Sequence, residues 1–576
     1  MTDFPLRVWA PTATHVDGVV GARRIALEPT GDGWWLSNER LSPGTDYKFS
    51  LDGGAPVPDP RSRSQPNGVD GPSRIVDPAT FQWTDSEFVP TRLDRAVIYE
   101  LHIGTFSNDG TFDGAIGHLD HLAALGVTHV ELMPVAEFSG ERGWGYDGVD
   151  LYAPHHLYGG PEGMARFVDA AHAKGVAVIL DVVYNHLGPA GNYLTQFGPY
   201  FTDHYSTLWG SAVNFDRAGS DEVRRFFIDN ALMWLRDYHV DGLRLDAVHA
   251  MFDMSAVHFL EQLGLDAHEL GETLGRSKVI IAESDLNDPR LIRPLDQGGY
   301  GLDAQWSDDF HHALFTVLTG EDNGYYADFG TIEDLAITLT RGYRYAGEYS
   351  RHRRRRHGRP SPGLDGRRLV GYLQDHDQVG NRALGERSSQ LMSARLLKIG
   401  AALVLTAPFV PMLFMGEEWA ASTPFQYFTD HGDPQLGEAV RQGRKQEFAA
   451  FGWDPASIPD PQDVETFRRS QLRWDELSEP AHADMLGWYR SLISLRADYP
   501  ELSDGNLEAV EVEFDEQSRW LALLRGRVLV AINFGEEVAS LPCGGRSIRL
   551  SSTAGTERDG DRLFLAPESV ALLIGD

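Results

Sequence analysis

The chain has 576 residues, 42% hydrophobic and 23% charged, which sets a prior of about three domains and allows a large buried core. Its net charge of -33 argues against nucleic acid and anionic membranes as partners, and no apolar run reaches the ~20 residues of a membrane span. Cys543 is the lone cysteine, so no internal disulfide forms, and the start Met1-Thr2-Asp3-Phe4-Pro5 lacks the basic and apolar segments of a signal peptide; both features predict a cytoplasmic protein.

Residues 1–88 read as β structure. Leu6-Arg7-Val8-Trp9-Ala10 alternates before Pro11, and Trp34-Trp35-Leu36 and Tyr47 to Leu51 are short strands between Gly and Pro punctuation, as in a small β-sandwich. The Trp34-Trp35 pair offers a sugar-stacking surface or core. From Ala96 the pattern changes to strand-helix alternation. Apolar strands are predicted at Ala96–Ile103, Thr128–Val135, Val176–Val183, Gly242–Ala247, Lys278–Glu283, Gly301–Trp306, Leu369–Leu373 and Val410–Met415. Helices fall between them, among them Ile116–Leu125, stopped by Gly126, Ala165–Lys174 and Asp221–Asp237. Eight buried strands with helical spacers indicate a parallel (β/α)₈ barrel over residues 89–495, with catalytic groups at the C-terminal strand ends.

Two segments break the rhythm. Tyr146 to Gly163 reads as a long functional loop, and Arg351-His352-Arg353-Arg354-Arg355-Arg356-His357 as a solvated basic loop. Residues 496–576 close the chain as an antiparallel β-sandwich, with strands at Val510–Phe514, Trp520–Leu524, Val528–Ile532 and Val570–Ile574.

Four strands deliver polar groups where their apolar sequence stops. Asp181 is followed by Tyr184-Asn185-His186; Arg244 and Asp246 share a strand face; Glu283 follows Ile280-Ile281-Ala282; and Gln374-Asp375-His376-Asp377 ends the seventh strand. On one barrel rim, Asp246, Glu283 and Asp377 then surround a single cavity with Arg244, His186 and His376. Glycoside hydrolysis needs such a set: an ionised carboxylate to attack, an acid to protonate the leaving oxygen, and negative charge against a cation-like transition state. Arg244 is expected to hold Asp246 ionised, and the apolar approach to Glu283 to raise its pKa. The same residue types ligate metals, but an Arg among them opposes a divalent ion, so no metal and no cofactor is expected.

At this point four motifs resemble those of the alpha-amylase family, in the family's order: Asp181 to His186, Gly242 to Ala247, Ala282-Glu283-Ser284 and His376-Asp377. The resemblance implies Asp246 as nucleophile, Glu283 as general acid/base and Asp377 as transition-state stabiliser. It implies Tyr146, in Trp144-Gly145-Tyr146-Asp147, as stacking platform, His186 and His376 as sugar-hydroxyl partners, and Arg244, His249, Gln378 and Asn381 as further substrate-side residues. Val8-Trp9-Ala10-Pro11 is similar to the start of branching enzymes, debranching enzymes and maltooligosyltrehalose trehalohydrolases. Three stretches favour the trehalohydrolase branch: His376-Asp377-Gln378-Val379-Gly380-Asn381-Arg382, Trp306 to Leu314, and Gly416-Glu417-Glu418-Trp419 with Pro424 to His431; Gly443 to Phe448 also fits. The implied reaction releases trehalose from a maltooligosyltrehalose, an α-1,4-glucan, after a maltooligosyltrehalose synthase has made it. The trehalose end is expected against Asp308, Asp309, Phe310 and His311. A bland alternative for those four is a helix start capped by Asp308 with Phe310 turned inward. A branching or debranching enzyme, or a barrel that binds glucan without catalysis, is the rival.

Overall fold

The computed structural model describes residues 3–449 and 458–575, without the side chains of 447–449. Glu447 and Phe448, quoted in the stretch from Gly443, therefore lie outside the described side chains.

Six antiparallel strands form the N-terminal unit: Phe4–Trp9, Val16–Val20, Arg23–Gly31, Trp34–Leu41, Asp46–Leu51 and Ser73–Arg74. The third pairs with the second through Arg23–Ala26 and with the fourth through Leu27–Gly31, so one strand joins both halves around Leu6, Val8, Leu27, Trp35 and Phe49. Trp35 is core. The Trp34 face is covered by the Arg7 guanidinium, 3.9 Å from the ring centre.

The eight-stranded barrel is closed and parallel. Its strands are Ile98–Leu101, His129–Leu132, Ala177–Val182, Gly242–Leu245, Val279–Ala282, Ala304–Trp306, Leu369–Gly371 and Val410–Phe414, in sequential order. Side chains alternate between the barrel axis and the helix layer. On the axis, Ala96, Ile98, Ile179, Ile281, Ala304, Val370, Val410 and Met412 make an apolar floor. Two residues onward, the same face carries Glu100, Asp181 and Glu283 in place of Ile98, Ile179 and Ile281. The register sets Glu100 beside Glu131 and Asp181 beside Arg244. Polarity is thus concentrated at one end of the barrel by strand period alone.

Three elements differ from the sequence reading. The helix expected over Ile116–Leu125 is two, Phe112–Ile116 and Leu119–Leu125, broken at Gly117; the predicted stop at Gly126 is left-handed, with φ 98°. The Tyr146–Gly163 loop is largely ordered structure: Gly148–Pro154 pairs with Ala136–Phe138, and a helix begins at Gly160. Its Asp, His and Gly content mimics a loop, but all seven residues of Gly148–Pro154 are buried. The basic run is the turn and return strand of a hairpin, Ala346–Ser350 with Arg355–Gly358. Most of it is solvated as expected, but His357 is buried against the Asp285 carbonyl and Arg353 pairs with the Asp285 carboxylate at 2.8 Å.

The C-terminal unit has more strands than its hydrophobic runs indicate. A five-stranded sheet (Val510–Asp515, Trp520–Arg525, Val528–Asn533, Ser569–Ile574, Ser547–Ser551) packs on a three-stranded one (Ala539–Pro542, Arg562–Leu565, Glu557–Asp559) through Leu529, Leu541, Cys543 and Leu563.

Below the barrel floor, His172 lies between Asp85 at 2.7 Å and Asp241 at 2.8 Å, and Asp241 also accepts the Val178 N–H. Burial opposes a charge on His172, but the two carboxylates outweigh it and raise its pKa. Removing one partner leaves a buried charge unpaired. Asp241→Asn should therefore lower unfolding free energy by about 3–5 kcal/mol in denaturant titration; an unchanged midpoint would show the clamp to be idle.

Candidate active site

Arg244, wholly buried on the fourth strand, organises the rim. Its Nη1 donates to Asp181 Oδ1 and Oδ2 at 2.9 and 2.8 Å and to Asp246 Oδ1 at 2.9 Å. Its Nη2 lies 3.7 Å from Glu283 Oε2, and its plane sits 4.4 Å from the Trp306 ring centre. One planar cation therefore fixes two carboxylates and reaches a third, a geometry lysine cannot reproduce. Asp246 is held from its other side by Asn185, whose Nδ2 donates to Oδ2 at 2.7 Å. The chain then turns sharply at Ala247, which has φ 41°, and the Ala247 N–H donates to Glu283 Oε2.

Glu283 differs from Asp246 in environment. Burial pushes its pKa well up, and the charges of Asp246, Asp308 and Asp377 push further the same way against Arg244. Asp308 is raised to about 7, by burial first and then by Asp285, Asp309 and Asp377, although it accepts a 2.5 Å hydrogen bond from the Tyr372 hydroxyl. Asp377 is open to solvent, its side chain 47% accessible, and accepts from Asn381 Nδ2 at 3.1 Å.

Tyr146 and His376 form the opposite wall. Their rings stack at 5.1 Å, and the Tyr146 hydroxyl bonds Asp181 at 2.6 Å and His376 Nε2 at 2.8 Å. His376 Nδ1 lies 2.5 Å from Glu100 Oε1. Burial opposes its charge, yet Glu100 and Asp377 raise its pKa to about 10. His376 is thus an imidazolium at neutral pH. His186 is the reverse case, its pKa lowered by burial; it contacts Asn185 and the Tyr146 carbonyl and stacks on Trp209 at 4.4 Å.

The structure brings together Asp246, Glu283, Asp377, Arg244, Tyr146, His186, His376, Asp308 and Asn381. Gln378 sits at the margin, accepting weakly from Tyr326 at 3.3 Å, and His249 is exposed beyond Val248. Three predicted contacts are corrected. Phe310 is fully buried against Phe409, at 5.1 Å. His311 is fully buried under Tyr372 and bonds the Tyr326 hydroxyl at 2.9 Å. Asp309 spends its carboxylate on Asn287 and on the N–H groups of Arg344 and Tyr345. The helix Asp308–Thr319 turns these three side chains away from the rim and leaves only Asp308, its first residue, facing it. The bland reading was nearer, except that Ser307 occupies the cap position.

Residues missed in the sequence are Glu100, Asn185, Trp209 and Tyr372. Glu100 carried a signal, a lone acid inside the apolar run Val97–Ile103. Asn185 stood within the quoted motif. Trp209 and Tyr372 carried none.

Phe310→Leu tests the correction. A core leucine for phenylalanine should lower Tm by about 1–2 °C, the loss of about 1–2 kcal/mol of packing, with KM unchanged. A raised KM at unchanged Tm would return Phe310 to the substrate.

Residues 75–206 match the alpha-amylase catalytic domain, and residues 505–572 match a domain of unknown function. A malto-oligosyltrehalose trehalohydrolase from Rhizobium sp. (strain M-11) is 49% identical, covering 98% of this chain and 97% of its own. One from Arthrobacter ramosus is 53% identical over 92% and 93% of the two chains. A solved structure from Salmonella typhimurium described as an alpha amylase superposes with a TM-score of 0.91 at 38% identity, covering 99% of this chain and 97% of that one. Near-complete coverage at such identity, on a barrel whose rim holds the acids and the arginine of the four motifs, places the chain in the malto-oligosyltrehalose trehalohydrolase branch of the alpha-amylase family.

Proposed function

We infer that the rim hydrolyses the α-1,4 bond joining a maltooligosaccharide to its terminal trehalose, with retention of configuration. The observation that carries the mechanism is the unequal treatment of two acids by one guanidinium: Asp246 bonded to it at 2.9 Å, Glu283 beyond hydrogen-bond reach at 3.7 Å and raised in pKa. In the first step Glu283 gives its proton to the glycosidic oxygen, the bond from C1 to that oxygen breaks, and an Asp246 oxygen bonds C1. Trehalose leaves carrying the proton. In the second step Glu283 takes a proton from water, whose oxygen attacks C1 and expels Asp246. Arg244 and Asn185 hold Asp246 on the face of attack, Asp377 grips sugar hydroxyls, and Tyr146 gives the ring a flat surface. The His376 imidazolium donates through Nε2 to the Tyr146 hydroxyl, fixing that ring, while Glu100 balances its charge. Asp308, beside Glu283, suits the leaving-group side.

A cytoplasmic location and a step in trehalose biosynthesis, downstream of a maltooligosyltrehalose synthase, belong to the same reading. It is supported by the single buried thiol, Cys543; and no helix among the described residues is long and apolar enough to cross a membrane. A division at residues 1–88, 89–495 and 496–576 fits the three groups of sheets, with the second break best moved past the helix Pro480–Asp498.

Asp246→Asn and Glu283→Gln should each lower kcat by at least about 10³-fold while ligand still binds, and chromatography of wild-type products should give trehalose. An active Asp246→Asn, chain transfer, or α-1,6 cleavage would refute the assignment. The rate should fall along an alkaline limb as Glu283, its pKa raised by burial, loses its proton. Because Asp308 helps raise the Glu283 pKa, Asp308→Asn should move the alkaline limb to lower pH; an upward shift would contradict this.

A further inference from the structure

The hairpin after the second barrel strand holds a cluster that the reaction does not use. Glu137 and Asp150 are direct cross-strand partners there, and both are buried. Glu137 Oε2 accepts the His156 N–H at 2.8 Å, which leaves Oε1 free to face two imidazoles: His155 Nδ1 at 3.1 Å and His156 Nδ1 at 2.9 Å. Asp150 Oδ2 is buried with no hydrogen-bond partner among the described residues. The His155 ring is fixed by stacking on Phe138 at 4.0 Å, whereas the His156 side chain keeps 26% of its surface and offers an entry path. Among the described residues this is the group of three such side chains whose ligand atoms all fall within 4.8 Å of one another.

We propose that Glu137, His155 and His156 bind a divalent cation of the zinc type. Two imidazoles and a carboxylate suit zinc rather than calcium or magnesium, which take oxygen ligands alone. Tetrahedral coordination with bonds of ~2.0–2.1 Å sets ligand atoms roughly 3.3 Å apart, a small opening of the present contacts. The ion replaces the imidazole protons at Nδ1, so binding releases protons. The site's three protein ligands leave one position for a water or an outside ligand, reached past the partly exposed His156. Its place gives it a purpose. The two hairpin strands are joined by residues 139–147, which carry Trp144 and Tyr146, so an ion at their base stiffens the segment that presents Tyr146 to the rim.

The test is calorimetric titration of the tag-free, EDTA-dialysed full chain with zinc chloride, with Tm followed in parallel. Expected are one ion per chain, a Kd at or below about 1 µM, and a zinc-dependent rise in Tm. In Glu137→Gln and in His156→Ala the affinity should fall more than about 100-fold and the rise in Tm should disappear. His156 is partly exposed, so its variant keeps the test decisive if Glu137→Gln does not fold. Absence of one-to-one binding by the wild type, or undiminished affinity in His156→Ala, overturns the proposal and leaves the cluster a hydrogen-bonded triad.

Discussion

A guanidinium buried at the mouth of the barrel is the constraint on which the site depends. Desolvating Arg244 costs several kcal/mol unless carboxylates surround it, and Asp181, Asp246 and Glu283 do so from three adjacent strands, with Trp306 under its plane. The requirement is mutual. Arg244 and Asn185 satisfy the oxygens of the largely enclosed Asp246; Glu283, buried, farther from the cation and among other acids, has its pKa pushed well up. Two like groups acquire opposite tasks from their distance to one charge.

A second buried cation repeats the logic across the cavity. His376 carries its proton because Glu100 stands at 2.5 Å, and Tyr146 spans from His376 to Asp181. Hydrogen bonds thus run from Glu100 through His376, Tyr146 and Asp181 to Arg244 and Asp246, all near the rim and mostly out of water. Such a chain is costly to build halfway and rigid when complete. The apolar floor of Ile98, Ile179 and Ile281 beneath it keeps the polar layer from sinking into the barrel.

Much of this was legible in the sequence because a parallel barrel converts strand ends into neighbours. Period-two alternation placed Arg244 and Asp246 on one face, and apolar runs ending in acids located the rim. What sequence could not show was direction after the strand. The segment Asp308-Asp309-Phe310-His311 looked like a recognition patch, but it opens a helix whose turn sends Phe310 and His311 into the core and Asp309 to backbone amides. The Gly148–Pro154 strand was hidden by Asp and Gly content, since its burial comes from residues distant in the chain, such as Arg61 on Tyr152. Partners like Tyr372 and Trp209 are found only by packing.

The claim that Asp246 forms a bond to the sugar is open to direct trial. A fluorinated α-glucosyl fluoride, whose glycosyl-enzyme hydrolyses slowly, should add one fluoroglucosyl mass to the intact chain, and peptide mapping should find it on Asp246. Turnover of that reagent with no adduct formed, or an adduct on another side chain, would contradict the account.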